Sequence, residues 1–254
     1  MQTAVITGST AGIGEAAAKL LARNGYRLII TGRRKDKLIK LQQELQDLTE
    51  VLPLVFDIRN RDEVDRAVDK LTSGWREIDV LINNAGLAAG LEPLHEGSVE
   101  DWEQMIDTNV KGLLYITRRI APLMIKRGKG HIVNIDSIAG KEVYENGNVY
   151  CATKHAVDAL SKGMRIDMLR HGIKVSMVSP GMAETEFSLV RFRGDKELAK
   201  NPYRGVEPLT GEDVAEAILF VLTRPAHVNI NDIIVTPAAQ ANSFYINRRM
   251  NKNI

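Results

Sequence analysis

Between Ser137 and Lys154 the chain holds a hydroxyl, a phenol and an ammonium at a spacing that suits proton transfer. Tyr150 and Lys154 stand four residues apart, so a helix over 147–171 projects both side chains from one face as neighbours. A phenol of pKa about 10 is a poor proton donor or acceptor at neutral pH, and matching it to pH 7 takes about 4 kcal/mol of differential stabilisation. A lysine ammonium beside it works in that direction because it favours the phenolate. Ser137, on the loop before the helix, can donate a hydrogen bond to a carbonyl or alkoxide oxygen that the tyrosine also touches. The three residues fit an acid/base site that interconverts an alcohol and a carbonyl. The same Tyr–Lys spacing also arises on amphipathic helices that carry no chemistry, so the reading depends on what the rest of the chain sets beside it.

The first such element is a phosphate-type loop. Residues 2–7 form a short apolar, β-branched run that ends at Gly8-Ser9-Thr10-Ala11-Gly12-Ile13-Gly14. Ile13, Ala17, Leu20 and Leu21 then recur on one helical face up to Asn24-Gly25, a helix stop. Exposed N–H groups and the dipole at that helix start make an anion site, and the glycines let backbone approach a pyrophosphate. The spacing G-x-x-x-G-x-G departs from the G-x-G-x-x-G dinucleotide fingerprint, so the strand before it and the helix after it carry the argument.

A second buried strand, 26–31, leads to Gly32-Arg33-Arg34 and a helix with Leu38, Leu41, Leu45 and Leu48 inward. An adenosine ribose lies at the end of such a strand. An NAD site usually places a carboxylate there for the 2′-hydroxyl, whereas Arg33 and Arg34 suit a 2′-phosphate. The cofactor expected is therefore NADP. The bland alternative is a solvated helix start, although cations there oppose the helix dipole. Strand 51–56 closes on Asp57, which can accept from an adenine amino group. Strand 79–83 ends in Asn83-Asn84-Ala85-Gly86, whose amides can fix the sheet or meet the cofactor.

Ser98 caps a helix running to about residue 127, with Asn109 on the stripe of Met105, Ile106, Gly112 and Leu113. A buried asparagine needs partners, so Asn109 either bridges two backbones or holds a functional water. Strand 130–135 feeds Ser137; strand 172–178 is broken by Pro180-Gly181. Residues 184–209, with Arg191, Arg193, Lys196 and Arg204, show little periodicity and read as a substrate lid. Thr210 caps a helix with Val214, Ala217, Ile218, Val221 and Leu222 inward, and 232–235 is a last strand. The alternation implies one domain over 1–254 with the lid inserted, built as a Rossmann-type, doubly wound parallel α/β sheet of about seven strands in three α/β/α layers. Right-handed crossovers bring the motif loops together at the carboxyl edge.

Bulk properties exclude other classes. A net charge of +2, 44% hydrophobic and 26% charged residues describe an ordinary globular chain with no call on nucleic acid or an anionic membrane. Cys151 is alone, which rules out an internal disulfide and suits a reducing compartment. With no signal-like start and no long apolar run, a cytoplasmic, unanchored protein is expected. His95, His131, His155, His171 and His227 lack paired ligand spacing, so no metal is expected.

These motifs together resemble the short-chain dehydrogenase/reductases: Thr7-Gly8-x-x-x-Gly12-Ile13-Gly14, Asn83-Asn84-Ala85-Gly86, Asn109, Ser137, Tyr150-x-x-x-Lys154 and Pro180-Gly181. The resemblance covers nearly the whole chain. It implies that Tyr150 donates or accepts the proton and that Ser137 orients the substrate oxygen. It implies that Lys154 binds the nicotinamide ribose and lowers the tyrosine pKa, and that Asn109 holds a relay water. It also implies cofactor contacts from Gly8 through Gly14, including Ser9, Thr10 and Ile13, and from Asn83, Ala85, Gly86, Pro180 and Gly181. A homotetramer packed through the helices of Asn109 and Tyr150 is implied as well.

Longer strings, among them Glu186-Phe187-Ser188, Val190-Arg191-Phe192 and Pro225-Ala226-His227-Val228-Asn229-Ile230, resemble the bacterial NADP-dependent 3-hydroxy-acid dehydrogenases that act on serine or allo-threonine and reduce malonic semialdehyde. For such a substrate carboxylate, Arg191 or Arg193 on the lid is the candidate cation. Two departures flank the pocket: Asp136, where the relatives have a small residue, and the charged Lys141-Glu142-Val143. The alternatives are a reductase of bulkier ketones or aldehydes with the same site and, from another class, a non-catalytic NADP-binding redox sensor.

Overall fold

Seven β-strands pair in parallel in one sheet: β1 (Thr3–Ile6), β2 (Arg27–Gly32), β3 (Val51–Val55), β4 (Val80–Asn83), β5 (Gly130–Ile135), β6 (Ile173–Pro180) and β7 (Asp232–Val235). The computed structural model describes residues 1–248. The spatial order β3-β2-β1-β4-β5-β6-β7 reverses direction between β1 and β4. The loops after those two strands therefore diverge and leave a crevice at the carboxyl edge. The inner strands β1, β2, β4, β5 and β6 are buried on both faces, as a sheet covered by helices requires, while the edge strands β3 and β7 are partly exposed. Pro53 sits in β3, an edge strand, where its missing N–H costs no ladder bond on the outer side.

Helices α1 (Gly12–Arg23), α2 (Lys35–Leu45) and α9 (Gly211–Leu222) cover one face, with Ala17, Leu38 and Ile218 in its core. Helices α3 (Arg61–Asp69), α5 (Leu113–Arg127) and α6 (Asn148–Leu169) cover the other, with Val68, Ile116 and Val157 inward. This is the three-layer, doubly wound arrangement expected. The cap at Thr210 forms as a full capping box with Asp213, and Ser98 caps α4 (Val99–Ile106) through the Asp101 N–H.

Three expectations need correction. Leu48 lies beyond the end of α2, off its apolar face, and is exposed. The helix expected from Ser98 to residue 127 is broken by a π-helical stretch, Asp107–Gly112, between α4 and α5. Ile106, just before it, faces outward, while Met105 and Asn109 stay buried. Residues 184–209 are not irregular: they fold into α7 (Glu186–Arg191), α8 (Lys196–Lys200) and a 3-10 turn (Asn201–Tyr203). Each piece is too short for a periodic signal to emerge. Among the described residues no helix is long and apolar enough to cross a membrane.

Candidate active site

A cleft of about 900 Å³ opens at the carboxyl edge, between the loops after β1, β4, β5 and β6 on one side and the 184–209 segment on the other. The glycine loop is stitched to the turn after β4. Thr7 Oγ1 accepts from the backbone N–H groups of Asn84 and Ala85 at 3.0 Å each, and Asn84 Nδ2 donates to the Thr7 and Gly8 carbonyls at 2.9 and 3.1 Å. Gly8 has φ +68°, and a Cβ there would lie 2.9 Å from Ala85 Cα; at Gly14 it would lie 2.4 Å from Asn84 Nδ2. Side chains at either position would wedge loop and turn apart, so the glycines are required by this close approach. The result is a backbone cradle at the start of α1, shaped for a pyrophosphate.

Gly8, Thr10, Gly12, Ile13, Arg33, Arg34, Asp57, Ala85, Gly86, Pro180 and Gly181 all line the cleft. Three expected cofactor residues stand differently. Asn83 is buried with its amide turned into the fold, where Nδ2 donates to Thr117 Oγ1 at 2.9 Å and Asn134 Oδ1 at 2.8 Å; Asn84 is the asparagine that faces the cleft. The alternation of a strand explains the error, since adjacent side chains point to opposite sides. The Ser9 hydroxyl folds back to the Ile6 carbonyl at 2.7 Å. Gly14 acts through packing behind the loop. Asp57 is engaged by its own neighbour: Arg59 Nη2 donates to Oδ2 at 2.6 Å, and Arg33 stands 3.6 Å away. Burial pushes that carboxyl up, but the Arg59 hydrogen bonds and both positive charges outweigh it and hold it below the usual range.

At the other end of the cleft Ser137 Oγ accepts from the Ala139 N–H at 3.1 Å and points toward the Pro180 carbonyl at 3.4 Å. Tyr150 and Lys154 project from one face of α6, as their spacing requires, and both are buried. Lys154 Nζ donates to the Ile135 carbonyl at 2.9 Å and lies 6.0 Å from the centre of the Tyr150 ring. Burial holds this ammonium below its usual range, opposed by the charge of Asp136. Burial likewise drives the Tyr150 phenol well above its ordinary value, with Tyr144 adding to the rise; the Ser137 hydroxyl and the Arg191 guanidinium pull it back. In the folded chain desolvation therefore outweighs the charge effect inferred from spacing alone.

Asn109 bridges the turn after β4 to α6. Its Oδ1 accepts from the Leu87 N–H at 2.8 Å, and its Nδ2 donates to the Leu87 carbonyl at 2.8 Å and to Thr153 Oγ1 at 3.0 Å. Thr153 Oγ1 donates in turn to the Tyr150 carbonyl at 2.8 Å. The π turn is where the sequence places this residue, and such turns often mark functional positions.

The two candidate lid cations part company. Arg191 enters the cleft: its guanidinium lies 5.4 Å from the Tyr150 ring centre, and Nη2 donates to Tyr144 Oη at 2.9 Å. Arg193 points out and pairs with Asp101 at 2.7 Å, so it is removed from the site. Sequence reasoning missed Tyr144, Phe187 and Glu186. Phe187 packs edge-on to Tyr150, with ring centres 5.5 Å apart. Glu186 spans the cleft mouth to Arg34 at 2.7 Å and Lys37 at 2.6 Å. Tyr144 lay in a stretch read only for its charges, and no periodic relation ties it to Tyr150. Among the described residues no group of three or more His, Cys, Asp or Glu side chains is placed to hold a metal ion.

A parallel sheet with this order, a glycine cradle and a Ser-Tyr-Lys trio whose tyrosine and lysine are buried define a dinucleotide-dependent oxidoreductase scaffold. The chain belongs to the short chain dehydrogenase family, whose model matches residues 2–194. It is 46% identical over 238 residues to the NADP-dependent 3-hydroxy acid dehydrogenase YdfG of Escherichia coli K12, covering 93% of this chain and 95% of that one. It is 42% identical over 239 residues to the serine 3-dehydrogenase of Agrobacterium fabrum, covering 94% and 95%. The fold superposes with a TM-score of 0.92 on the closed form of a serine dehydrogenase complexed with NADP+, at 44% identity over 98% of this chain and all of that one.

Proposed function

We propose that this protein is an NADP-dependent oxidoreductase that interconverts a hydroxyl and a carbonyl on small 3-hydroxy acids such as serine, allo-threonine or 3-hydroxypropionate. The observation that carries the reading is the convergence of Ser137, Tyr150 and Arg191 at one end of the cleft, with Arg33 and Arg34 at the other. The relatives described above are named for the same cofactor and substrate class.

The residues present fit the cofactor. The cradle at Gly8 and Gly12 leaves backbone N–H groups for the pyrophosphate, and Arg33, Arg34 and Lys37 offer three cations to a 2′-phosphate. When bound, NADP+ supplies the acceptor for the hydride from the hydroxyl-bearing carbon. On the substrate side, Tyr150 takes the hydroxyl proton during oxidation and returns it during reduction. Ser137 Oγ donates to the substrate oxygen and fixes it against the phenol. Arg191 faces the substrate carboxylate in a water-poor setting closed by Phe187 and Tyr144, where a charge-assisted hydrogen bond is strongest. Arg191 also favours the phenolate, so lid closure both orients the acid and lowers the work of deprotonating Tyr150. Asn109 is a positioning residue in this account, tying Leu87 and Thr153 to the turn that carries Tyr150, and the relay water implied for it shares that location.

A homotetramer is part of the proposal. Ile166 and Leu169, both on α6, are 76% exposed, an apolar surface that a partner's α6 covers. The lone, buried thiol of Cys151 suits the cytoplasm.

The test is to incubate the protein with L-serine, L-allo-threonine and 3-hydroxypropionate, each with NADP+ and with NAD+, and follow reduced nicotinamide by its absorbance. Turnover of one or more with NADP+, and weak turnover with NAD+, is the expected result. Silence on all three, with NADPH consumed by a panel of bulky ketones, would move the substrate to the ketone class.

A further inference from the structure

Glu186 opens α7, directly after Thr185, whose Cβ lies 3.0 Å from where a Cβ on Gly12 would stand. The start of α7 thus rests on the glycine loop, and the Glu186 carboxylate reaches the end of β2. Each oxygen holds one cation: Oε2 accepts from Arg34 Nη1 at 2.7 Å and Oε1 from Lys37 Nζ at 2.6 Å. Burial pushes the carboxyl up, but these two bonds and charges keep it below the ordinary glutamate range. Arg34 is oriented independently of Glu186, because Nε and Nη2 donate to Thr10 Oγ1 at 3.0 and 2.8 Å. The guanidinium therefore stays in place whatever anion it meets.

We propose that Glu186 is a built-in competitor for the 2′-phosphate of the cofactor, so that a 2′-phosphorylated dinucleotide must take Arg34 and Lys37 from the lid carboxylate in order to bind. The inference rests on the NADP reading above. A carboxylate and a phosphate dianion draw on the same donors, and two anions about 4–5 Å apart repel even when screened. Glu186 accordingly lowers affinity for 2′-phosphorylated ligands alone. The exchange also links cofactor choice to the lid, because it frees the adenosine end of the lid while Arg191 keeps its grip on Tyr144 and the Gly90 carbonyl at the substrate end.

Calorimetric titration with 2′,5′-ADP and with 5′-AMP, which differ only by the 2′-phosphate, separates the anion effect from the rest of the cofactor. The Glu186→Gln variant keeps the side-chain shape at a partly exposed position, and a thermal melt verifies its fold. Glu186→Gln binding 2′,5′-ADP roughly five-fold tighter than the wild type, with 5′-AMP unchanged, is the expected result. If the wild type prefers 2′,5′-ADP but Glu186→Gln binds it no tighter, or more weakly, the competitor role is wrong while the arginine assignment stands. If the wild type holds both ligands alike, the 2′-phosphate reading fails and takes the proposal with it.

Discussion

Asp136 Oδ2 and Lys141 Nζ lie 3.6 Å apart. Asp136 and the first residue of the charged string Lys141-Glu142-Val143, both singled out beside Ser137, are brought together by the fold as one feature. Asp136 is fully buried at the edge of the cleft, and among the described residues neither of its carboxylate oxygens accepts a hydrogen bond. Lys141 faces it from the turn after Ser137 while also pairing with Asp158 and Asp232. Lys141 is thus a counter-charge for the carboxylate beside Ser137, and the charge of Lys154 acts in the same sense.

That arrangement gives a pH dependence with a defined sign. Burial pushes Asp136 up to about 6, against the pull of Lys154 and Lys141. A carboxyl whose folded pKa is raised contributes stability that is fully present below its unfolded value, near 3.9, and lost as pH rises through about 6. Ionised Asp136 therefore costs the fold on the order of 3 kcal/mol. The neutral Asp136→Asn variant removes this dependence. Its Tm is expected to gain on the wild type as pH rises from about 4 to 7, and a gap independent of pH would contradict the account.

Arg191 is expected to act on charged substrates. Its removal in Arg191→Ala should raise KM for 3-hydroxypropionate by about ten- to a hundred-fold, the worth of a hydrogen bond to a charged group. Steady-state kinetics with propane-1,3-diol supply the control, because that alcohol has no carboxylate to lose. Equal losses on both substrates would reduce Arg191 to a lid fastening. Arg193→Ala, at the lid surface, should leave both KM values alone.

Asn83 tests a residue that motif reading assigned to the cofactor and the fold assigns to the sheet. Asn83→Ala orphans buried partners on Thr117 and Asn134, which costs about 1–3 kcal/mol and several degrees of Tm. NADP+ affinity by calorimetry should stay near wild type. A variant of unchanged stability with weakened NADP+ binding would return Asn83 to the cofactor site.

Much of this was legible because local chemistry and global topology agree. The alternation of apolar strand runs with helices pointed to a doubly wound parallel sheet, and right-handed crossovers in such a sheet gather Gly8, Ala85, Ser137 and Pro180 at one edge. The i, i+4 relation put Tyr150 and Lys154 on one face of α6. What the sequence hid are relations across long separations. Arg191 meets Tyr144 and Glu186 meets Arg34 only after the lid folds back, and no periodicity encodes such contacts. The π turn at Asn109 was equally hidden, since one extra residue per turn leaves an apolar stripe almost unchanged over so short a stretch. The electrostatics of Tyr150 depended on burial, which spacing alone does not report.

The central claim is that Tyr150 moves the proton. Tyr150→Phe keeps the ring that packs on Phe187 and under Arg191 and removes only the hydroxyl. NADPH formation from L-allo-threonine by this variant, measured beside calorimetric binding of NADP+, tests that claim directly. The account predicts a fall in kcat of at least 10²- to 10⁴-fold with NADP+ affinity retained. Turnover at the wild-type rate by a variant that lacks the phenol would contradict it.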